Sequence, residues 1–350
     1  MFNILFLTPI QLGSGNIATA QRIKSGLNRY FKNIILENSN NFKNFEQLKQ
    51  KLDDIDLILC VHAYHSGRLL YQQEHDNICL PPLITIFGGT DIHSPNADWL
   101  NIIVNTIQLS SYLVCFSHEL MLLAVKVFPN CENKCVIIPQ AVCTNPKLDF
   151  QFLSFISKEN KESLKVITWI GSIRKVKDPL YIESLLDDIY LIDEKICFVY
   201  VGYSLDDFLA KSLNRLQNTS KNFYYINGMS ASESHACIKS SWAFLNTSLN
   251  EGMSLAILEA MKLKTPVIAR RNFGNCSIIK HKFNGLLFEN SENFIENILY
   301  LLNDSRMREN LISNAFNYVN DRHSADKETN SYYNCIINAT QTNKHERIND

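Results

Sequence analysis

The sequence predicts an α/β protein in which two doubly wound, parallel-sheet domains follow one another in a single chain. Three observations carry the prediction. Short apolar runs alternate with longer amphipathic ones from residue 3 to residue 319, and strands that read as continuous apolar runs belong to parallel sheets covered on both faces. The rhythm lapses once, across residues 144–163, where the chain turns polar and ends in Lys158-Glu159-Asn160-Lys161-Glu162-Ser163 before the rhythm restarts. A length of 350 residues also exceeds what one hydrophobic core usually organises, so two domains are the default.

In the first half, residues 3–9, 33–37, 56–63, 83–89, 112–117 and 135–140 read as buried strands. Segments 18–30, 45–52, 99–110 and 118–128 between them have helical length and spacing. In the second half the strands fall at 165–170, 196–202, 223–228, 242–248, 266–270 and 285–288. Helices are expected over 179–190, 205–217, 232–240, 253–263 and 291–319. The predicted organisation is a domain over 1–150, a linker over 151–164, a second domain over 165–305, helices over 306–336 and a polar, frayed tail over 337–350. Two open parallel sheets place the ligand site in the cleft between them, outside the carboxyl ends of the strands.

Composition narrows the function. With 46% hydrophobic, 11% aromatic and 20% charged residues, the collagen-like, disordered and disulfide-scaffold classes are excluded. The 34 Lys and Arg nearly cancel the 35 Asp and Glu, leaving a net charge of -1 and no footprint for nucleic acid. No apolar run approaches the roughly 18 residues that span a bilayer, so no transmembrane segment is expected. The apolar start, cut short by Pro9, reads as a first strand rather than a signal peptide. Ten cysteines scattered through apolar segments read as buried thiols, and a zinc site on Cys131 and Cys135 is the weaker alternative. A reduced, cytoplasmic protein is therefore expected, with secretion left open.

The most informative stretch is Ser248-Leu249-Asn250-Glu251-Gly252-Met253-Ser254-Leu255, continuing to Met261. It follows a strand and opens a helix, so backbone N–H groups and the positive end of the helix dipole meet at residues 252–255, a setting that suits a phosphate. Gly252 lets a ligand approach the backbone closely. Glu259 interrupts a helix face otherwise built from Leu255, Ile257, Leu258, Ala260 and Met261, and a carboxylate there needs a hydrogen-bond partner. Eight residues along a helix span about 12 Å, which matches the reach from sugar to ribose in a nucleotide diphosphate sugar. The plain alternative makes Glu251 a capping acid and Glu259 a solvated or salt-bridged one.

Three further loops are candidates. In Gly171-Ser172-Ile173-Arg174-Lys175-Val176-Lys177-Asp178-Pro179, three cations within four positions at a sheet's carboxyl edge can neutralise a diphosphate, although a solvated loop would look the same. Gly13-Ser14-Gly15-Asn16, between the first strand and a helix, is small enough to let a ligand near the backbone. It lacks the Gly-x-Gly-x-x-Gly pattern, which counts against a dinucleotide fold. Phe87-Gly88-Gly89-Thr90-Asp91 ends another strand, and Asp91 there serves equally as a cap or as a partner for sugar hydroxyls. His62, His65 and His93 lie near strand ends of the same half and read as ordinary, partly buried histidines or as cleft residues. No Ser-His-Asp arrangement, His-Glu-x-x-His or Lys-Ser/Thr phosphate loop is present.

Glu251-Gly252-Met253-Ser254, Leu258-Glu259-Ala260-Met261, Pro266-Val267-Ile268-Ala269 and Asn284-Gly285-Leu286-Leu287-Phe288 together resemble the group 1 (family 4) glycosyltransferases of the GT-B fold. Further likeness runs over nearly the whole chain, through residues 15–22, 66–70, 86–91 and 174–181. The resemblance implies a retaining transfer of a sugar from a nucleotide diphosphate sugar to an unidentified acceptor, typically without a metal ion and with no other cofactor. It implies that Glu259 holds the ribose, that Glu251 meets the donor sugar, and that amides around Gly252, Met253, Ser254 and Leu255 face the diphosphate. Lys177 and Arg174 would neutralise that diphosphate, and Gly228 joins the donor-binding set. Gly13, Ser14, Gly15 and Asn16 would close over the phosphate and acceptor side, with Gly89, Thr90 and Asp91 beside the acceptor. The helical stretch from 306 to 336 would return to pack on the first domain.

The sequence also departs from the family pattern. Ser172 stands where an Arg is common, with Arg174 two residues on as its substitute. A histidine near Gly88–Asp91, a glycine before Pro266 and a glutamate within Phe273-Gly274-Asn275-Cys276-Ser277 are missing. A catalytically silent nucleotide-sugar-binding protein is therefore the second reading, and an NAD-dependent dehydrogenase using Gly13–Asn16 the third.

Overall fold

The computed structural model describes residues 2–10, 15–71, 80–93, 97–156 and 163–349. The chain divides into two compact units, Met1–Ala141 with His323–Asp350, and Val142–Arg322.

In the first unit, β1 (Asn3–Thr8), β2 (Asn33–Asn38), β3 (Leu57–Val61), β4 (Leu83–Ile86), β5 (Ser110–Cys115) and β6 (Cys135–Ile137) form one sheet. Every neighbouring pair is parallel, in the order β2-β1-β3-β4-β5-β6. The crossovers carry α1 (Gly15–Leu27), α2 (Phe45–Lys49), α3 (Thr90–His93), α4 (Ala97–Leu109) and α5 (His118–Val127). Apolar side chains on both faces of β1 and β3, Ile4 to Leu7 and Leu57 to Cys60, are wholly buried, which a parallel sheet covered twice demands. Local chemistry sets the helix starts. Asn44 and Ser117 accept the N–H groups of Gln47 and Leu120 and so cap α2 and α5.

The second unit repeats the plan with β7 (Lys165–Ile170), β8 (Ile196–Val201), β9 (Phe223–Ile226), β10 (Ala243–Asn246), β11 (Val267–Arg270) and β12 (Leu286–Phe288). Its parallel order is β12-β11-β10-β7-β8-β9. Between the strands lie α6 (Leu186–Ile192), α7 (Asp207–Thr219), α8 (Ala231–Lys239), α9 (Leu255–Lys262) and α10 (Phe273–Ile278). Two more helices, α11 (Ser291–Asn303) and α12 (Ser305–Arg322), complete the unit. The rings of Trp169 and Tyr200 stack with centroids 5.0 Å apart inside a core that also buries Phe198, Phe223, Phe288 and Phe294. Chain order reverses between β7 and β10, so the loops leaving those two carboxyl ends run in opposite directions and open a crevice.

The last helix, α13 (Ala325–Asn349), belongs to the first unit and packs on α1. Arg22 holds Glu328 through Nε and Nη2, each 3.0 Å from a carboxylate oxygen, with side chains only 12% and 3% exposed. A Cβ at Gly26 would lie 2.3 Å from the Thr329 hydroxyl, so a glycine is what lets the two helices approach.

Several elements differ from their sequence-based bounds. The expected helix over 291–319 is two helices, because Asp304 leaves the first and accepts the Met307 N–H that starts the second. The expected helix over 179–190 forms only from Leu186, after a 3-10 turn at Glu183–Leu185. The chain is helical through Asn349, where a polar frayed tail was expected from 337. The division between units falls at Ala141 and Val142, ahead of the polar 151–164 stretch, and residues up to Arg322 stay with the second unit.

Candidate active site

The β7 and β10 loops are stitched together at the point where strand order reverses. The Leu249 N–H donates to the Val176 carbonyl at 2.9 Å, and the Thr247 hydroxyl donates to the Lys177 carbonyl at 2.8 Å. Thr247 itself receives the indole N–H of Trp169 at 2.9 Å, which ties the loops to the core. This framework sets Lys177 Nζ 2.6 Å from Glu251 Oε1, with the two side chains 17% and 10% exposed. Ser248 Oγ and Asn246 Nδ2 donate to the same oxygen at 2.7 and 3.2 Å. Burial pushes the Glu251 pKa upward, but Lys177 and these hydrogen bonds outweigh it and hold the carboxyl below its usual value. Burial lowers the pKa of Arg174, opposed by the charge of Glu251, and its Nε is buried with no hydrogen-bond partner among the described residues. An anion or a water can complete such a donor.

Beside this pair, α9 begins at Leu255, so Gly252, Met253 and Ser254 form the turn before it rather than its first turn. Glu251 and Glu259 therefore do not share a helix, and the 12 Å spacing along one axis does not apply. Ser254, at the N-cap, makes no capping bond to the helix; its hydroxyl accepts from Asn246 Nδ2 at 3.3 Å. The leading N–H groups of α9 are thus left without a side-chain cap, the arrangement that receives a phosphate. Met253 is 8% exposed and lodges in the core, so only its backbone can serve a ligand.

Four residues of the site were given no role by the sequence. Asn246 and Ser248 carry Glu251. Asn275, wholly buried, donates through Nδ2 to Asn246 Oδ1 and the Arg270 carbonyl at 3.0 and 2.9 Å. A Cβ at Gly274 would sit 2.2 Å from the Glu251 carbonyl, so the start of α10 presses directly on the acid's backbone. The only signal available was an Asn ending an apolar strand and an Asn-rich turn thirty residues on, neither distinctive in this Asn-rich chain.

Glu259 lies in α9, 19% exposed, with Oε1 3.3 Å from His235 Nε2. The other ring nitrogen, Nδ1, accepts the Asn145 N–H at 3.1 Å. Gly228 has a φ of +82°, and a Cβ there would fall 2.2 Å from the Tyr203 ring, so only glycine fits.

On the first unit, Gly13 and Ser14 lie outside the described residues. Gly15 opens α1, and a Cβ at Gly88 would lie 3.4 Å from Asn16 Oδ1, so Asn16 and the β4 loop adjoin. Gly89 turns at a φ of +98°, and the Thr90 hydroxyl is 2.9 Å from His62 Nε2. Asp91 takes the capping alternative: it is fully buried, and its carboxylate receives the Ala63 and Gly88 N–H groups at 2.8 and 3.0 Å, so it braces the loop. His62, 2% exposed, holds a left-handed φ of +73° beneath it. Cys131 and Cys135 are free thiols with sulfurs 3.7 Å apart. Among the described residues no group of three His, Cys, Asp or Glu side chains could hold a metal ion, and no helix is long and apolar enough to cross a membrane.

Comparison with known proteins decides the family. Residues 151–318 match the family described as Glycosyl transferases group 1. The chain is 30% identical over 342 residues to glycosyltransferase 1 domain-containing protein 1 of Xenopus tropicalis, covering 96% of this chain and 97% of that protein. The chain belongs to the group 1 glycosyltransferases. This group 1 glycosyltransferase is also 27% identical over 264 residues to UDP-Gal:alpha-D-GlcNAc-diphosphoundecaprenol alpha-1,3-galactosyltransferase of Escherichia coli, covering 69% and 64% of the two chains. Anabaena Alr3699/HepE, solved in complex with UDP-glucose, superposes with a TM-score of 0.77 at 16% identity, covering 97% of this chain and all of that one. Sucrose-phosphate synthase of Thermosynechococcus elongatus superposes at 0.71 with 14% identity, covering 99% and 98%. With two parallel six-stranded sheets flanked by helices, the group 1 glycosyltransferase has the GT-B fold.

Proposed function

We propose that the protein is a retaining, metal-independent glycosyltransferase of the family 4 type that moves a hexosyl group from a UDP-sugar to an acceptor held by the first unit. One observation carries the reading: Lys177, Arg174, Glu251 and the uncapped start of α9 converge where strand order reverses in the second unit. As the bond from the anomeric carbon to the β-phosphate breaks, charge grows on phosphate oxygens, and fixed donors aimed there lower the barrier. Lys177 gives one of its three N–H donors to Glu251, which leaves two for a diphosphate. The anomeric carbon becomes oxocarbenium-like. The acceptor hydroxyl bonds to it on the face the diphosphate leaves, and its proton passes to the departing phosphate oxygen.

Glu251, kept ionised, faces the donor sugar, and Glu259 takes the ribose hydroxyls. Gly252, Met253, Ser254 and Leu255 contribute amides, and Gly228 keeps open the turn beside Tyr203. Gly15, Asn16, Gly89 and Thr90 line the acceptor side, with Asp91 bracing it. The uracil base and hexose are supported by the UDP-Gal-dependent relative and by the neighbour bound to UDP-glucose. A reducing, cytoplasmic setting belongs to the same proposal, in keeping with nine free thiols among the described cysteines.

The test is thermal stabilisation by UDP, GDP, ADP and their sugars, followed by transfer assays with and without a chelator. UDP and a UDP-hexose should raise the unfolding temperature, and the product should keep the donor's anomeric configuration at an unchanged rate in chelator. Binding without turnover would assign the silent binding protein instead, and stabilisation by NAD alone the dehydrogenase.

A further inference from the structure

We infer that His235 is a positioning residue of the donor site: it orients the Glu259 carboxylate toward the two ribose hydroxyls and is itself oriented by the Asn145 amide. The inference rests on the ribose role given to Glu259 above.

His235 sits on α8, 7% exposed, between a donor and an acceptor. The Asn145 N–H reaches Nδ1 at 3.1 Å, so in the neutral ring Nδ1 is the acceptor and the ring proton resides on Nε2. Nε2 lies 3.3 Å from Glu259 Oε1, within ion-pair distance. A glutamate on a helix surface has several rotamers, and a ribose diol needs a carboxylate held in one of them. A ring nitrogen 3.3 Å from one carboxylate oxygen favours one such rotamer while the second oxygen stays available to a ligand.

The supports of His235 are themselves fixed. Ser230 and Glu233 form a reciprocal cap at the start of α8. The Lys147 N–H donates to the Ser232 carbonyl at 2.9 Å, and Lys147 Nζ pairs with Glu233 at 2.9 Å, which docks the segment carrying Asn145 onto the same turn. The Thr265 hydroxyl donates to the Ile238 carbonyl at 2.7 Å and ties the end of α9 to α8. The relay from Asn145 through His235 to Glu259 thus spans three elements, each held independently of the ligand. In a purely structural role, His235 would only pin α8 against α9.

Ribose selectivity separates the two roles. Kd values for UDP and 2′-deoxy-UDP are measured by calorimetry on the full chain, as wild type, His235→Ala, His235→Gln, Glu259→Gln and the His235→Ala/Glu259→Gln double variant. Wild type should prefer UDP by about tenfold, the worth of one hydrogen bond to a charged group. His235→Ala should lose most of that preference. His235→Gln, whose amide can accept from Asn145 and donate to Glu259, should recover it. In the Glu259→Gln background, His235→Ala should change the UDP Kd by less than about twofold, because the two act through one contact. Equal weakening toward both nucleotides, or independent effects in the double variant, would overturn the inference. If His235→Ala does not fold, a His235→Gln variant that folds without ribose preference overturns it equally. Wild type that binds neither nucleotide would instead overturn the donor-site reading.

Discussion

Lys177 and Glu251, 74 residues apart in sequence, meet at 2.6 Å between the loops that leave two adjacent parallel strands. The β10 strand and its loop hold both ends of the pair. Lys177 is fixed by the hydroxyl of Thr247 on its carbonyl, and Glu251 by Ser248 and Asn246 on its carboxylate. The pair is therefore a product of the β7–β10 junction, which places a cation and an anion at the carboxyl edge of the sheet.

Lys177→Met should cut sugar transfer by about 100-fold, the worth of one fixed donor to a developing oxyanion. It takes the contacting cation from a buried carboxylate, so stability should fall by about 1–3 kcal/mol. Turnover and urea unfolding measure the two effects separately. Full turnover in a folded variant would remove Lys177 from the chemistry.

Gly228→Ala should destabilise the second unit by about 1–3 kcal/mol, since a left-handed φ and a clash with the Tyr203 ring combine there. Thermal unfolding reads the loss, and UDP affinity should fall with it because the strained turn lies in the proposed donor set. Unchanged stability would mean that Tyr203 moves aside freely.

Glu328→Gln should lower stability by about 3 kcal/mol, because it strips the charge from a nearly buried bidentate pair and leaves Arg22 uncompensated. Urea denaturation would show it as a lower midpoint with an unchanged slope. A midpoint equal to wild type would mean that α13 docks without that pair.

His65 should make the first unit acid-sensitive. Burial, with His62 and Arg68 adding to it and Asp91 opposing, pushes its pKa from 6.5 down to about 4. The unfolded chain thus takes up a proton that the folded one refuses between those values, so this contribution is complete above 6.5 and declines as pH falls toward 4. The unfolding temperature of wild type should drop more from pH 7 to pH 5 than that of His65→Gln. Parallel profiles would show that His65 titrates normally.

Much of the fold was legible in the sequence because parallel strands announce themselves locally. After Lys165, the stretch to Ile170 is a run of apolar and β-branched residues, and the observed strand has the expected bounds Lys165–Ile170. A helix after Glu251 was legible from its glycine and the apolar spacing, but it was placed from 253, two residues before its start at Leu255. Element ends were less legible. Residues 291–319 read as one helix because apolar spacing continues through Asp304, yet that side chain caps a second helix instead of extending the first.

Residue types and their local spacing determined the strands, the helices and the kinds of side chain gathered on each loop. The tertiary structure alone decided that Asp91 is buried under two backbone amides, and that Lys177 reaches Glu251. It alone brought Asn145 and His235, 90 residues apart, onto one line with Glu259. The physical reason is that each of these contacts depends on strand order and crossover path. A parallel sheet sets both through burial of whole faces, which leaves no mark on the few residues that come to touch.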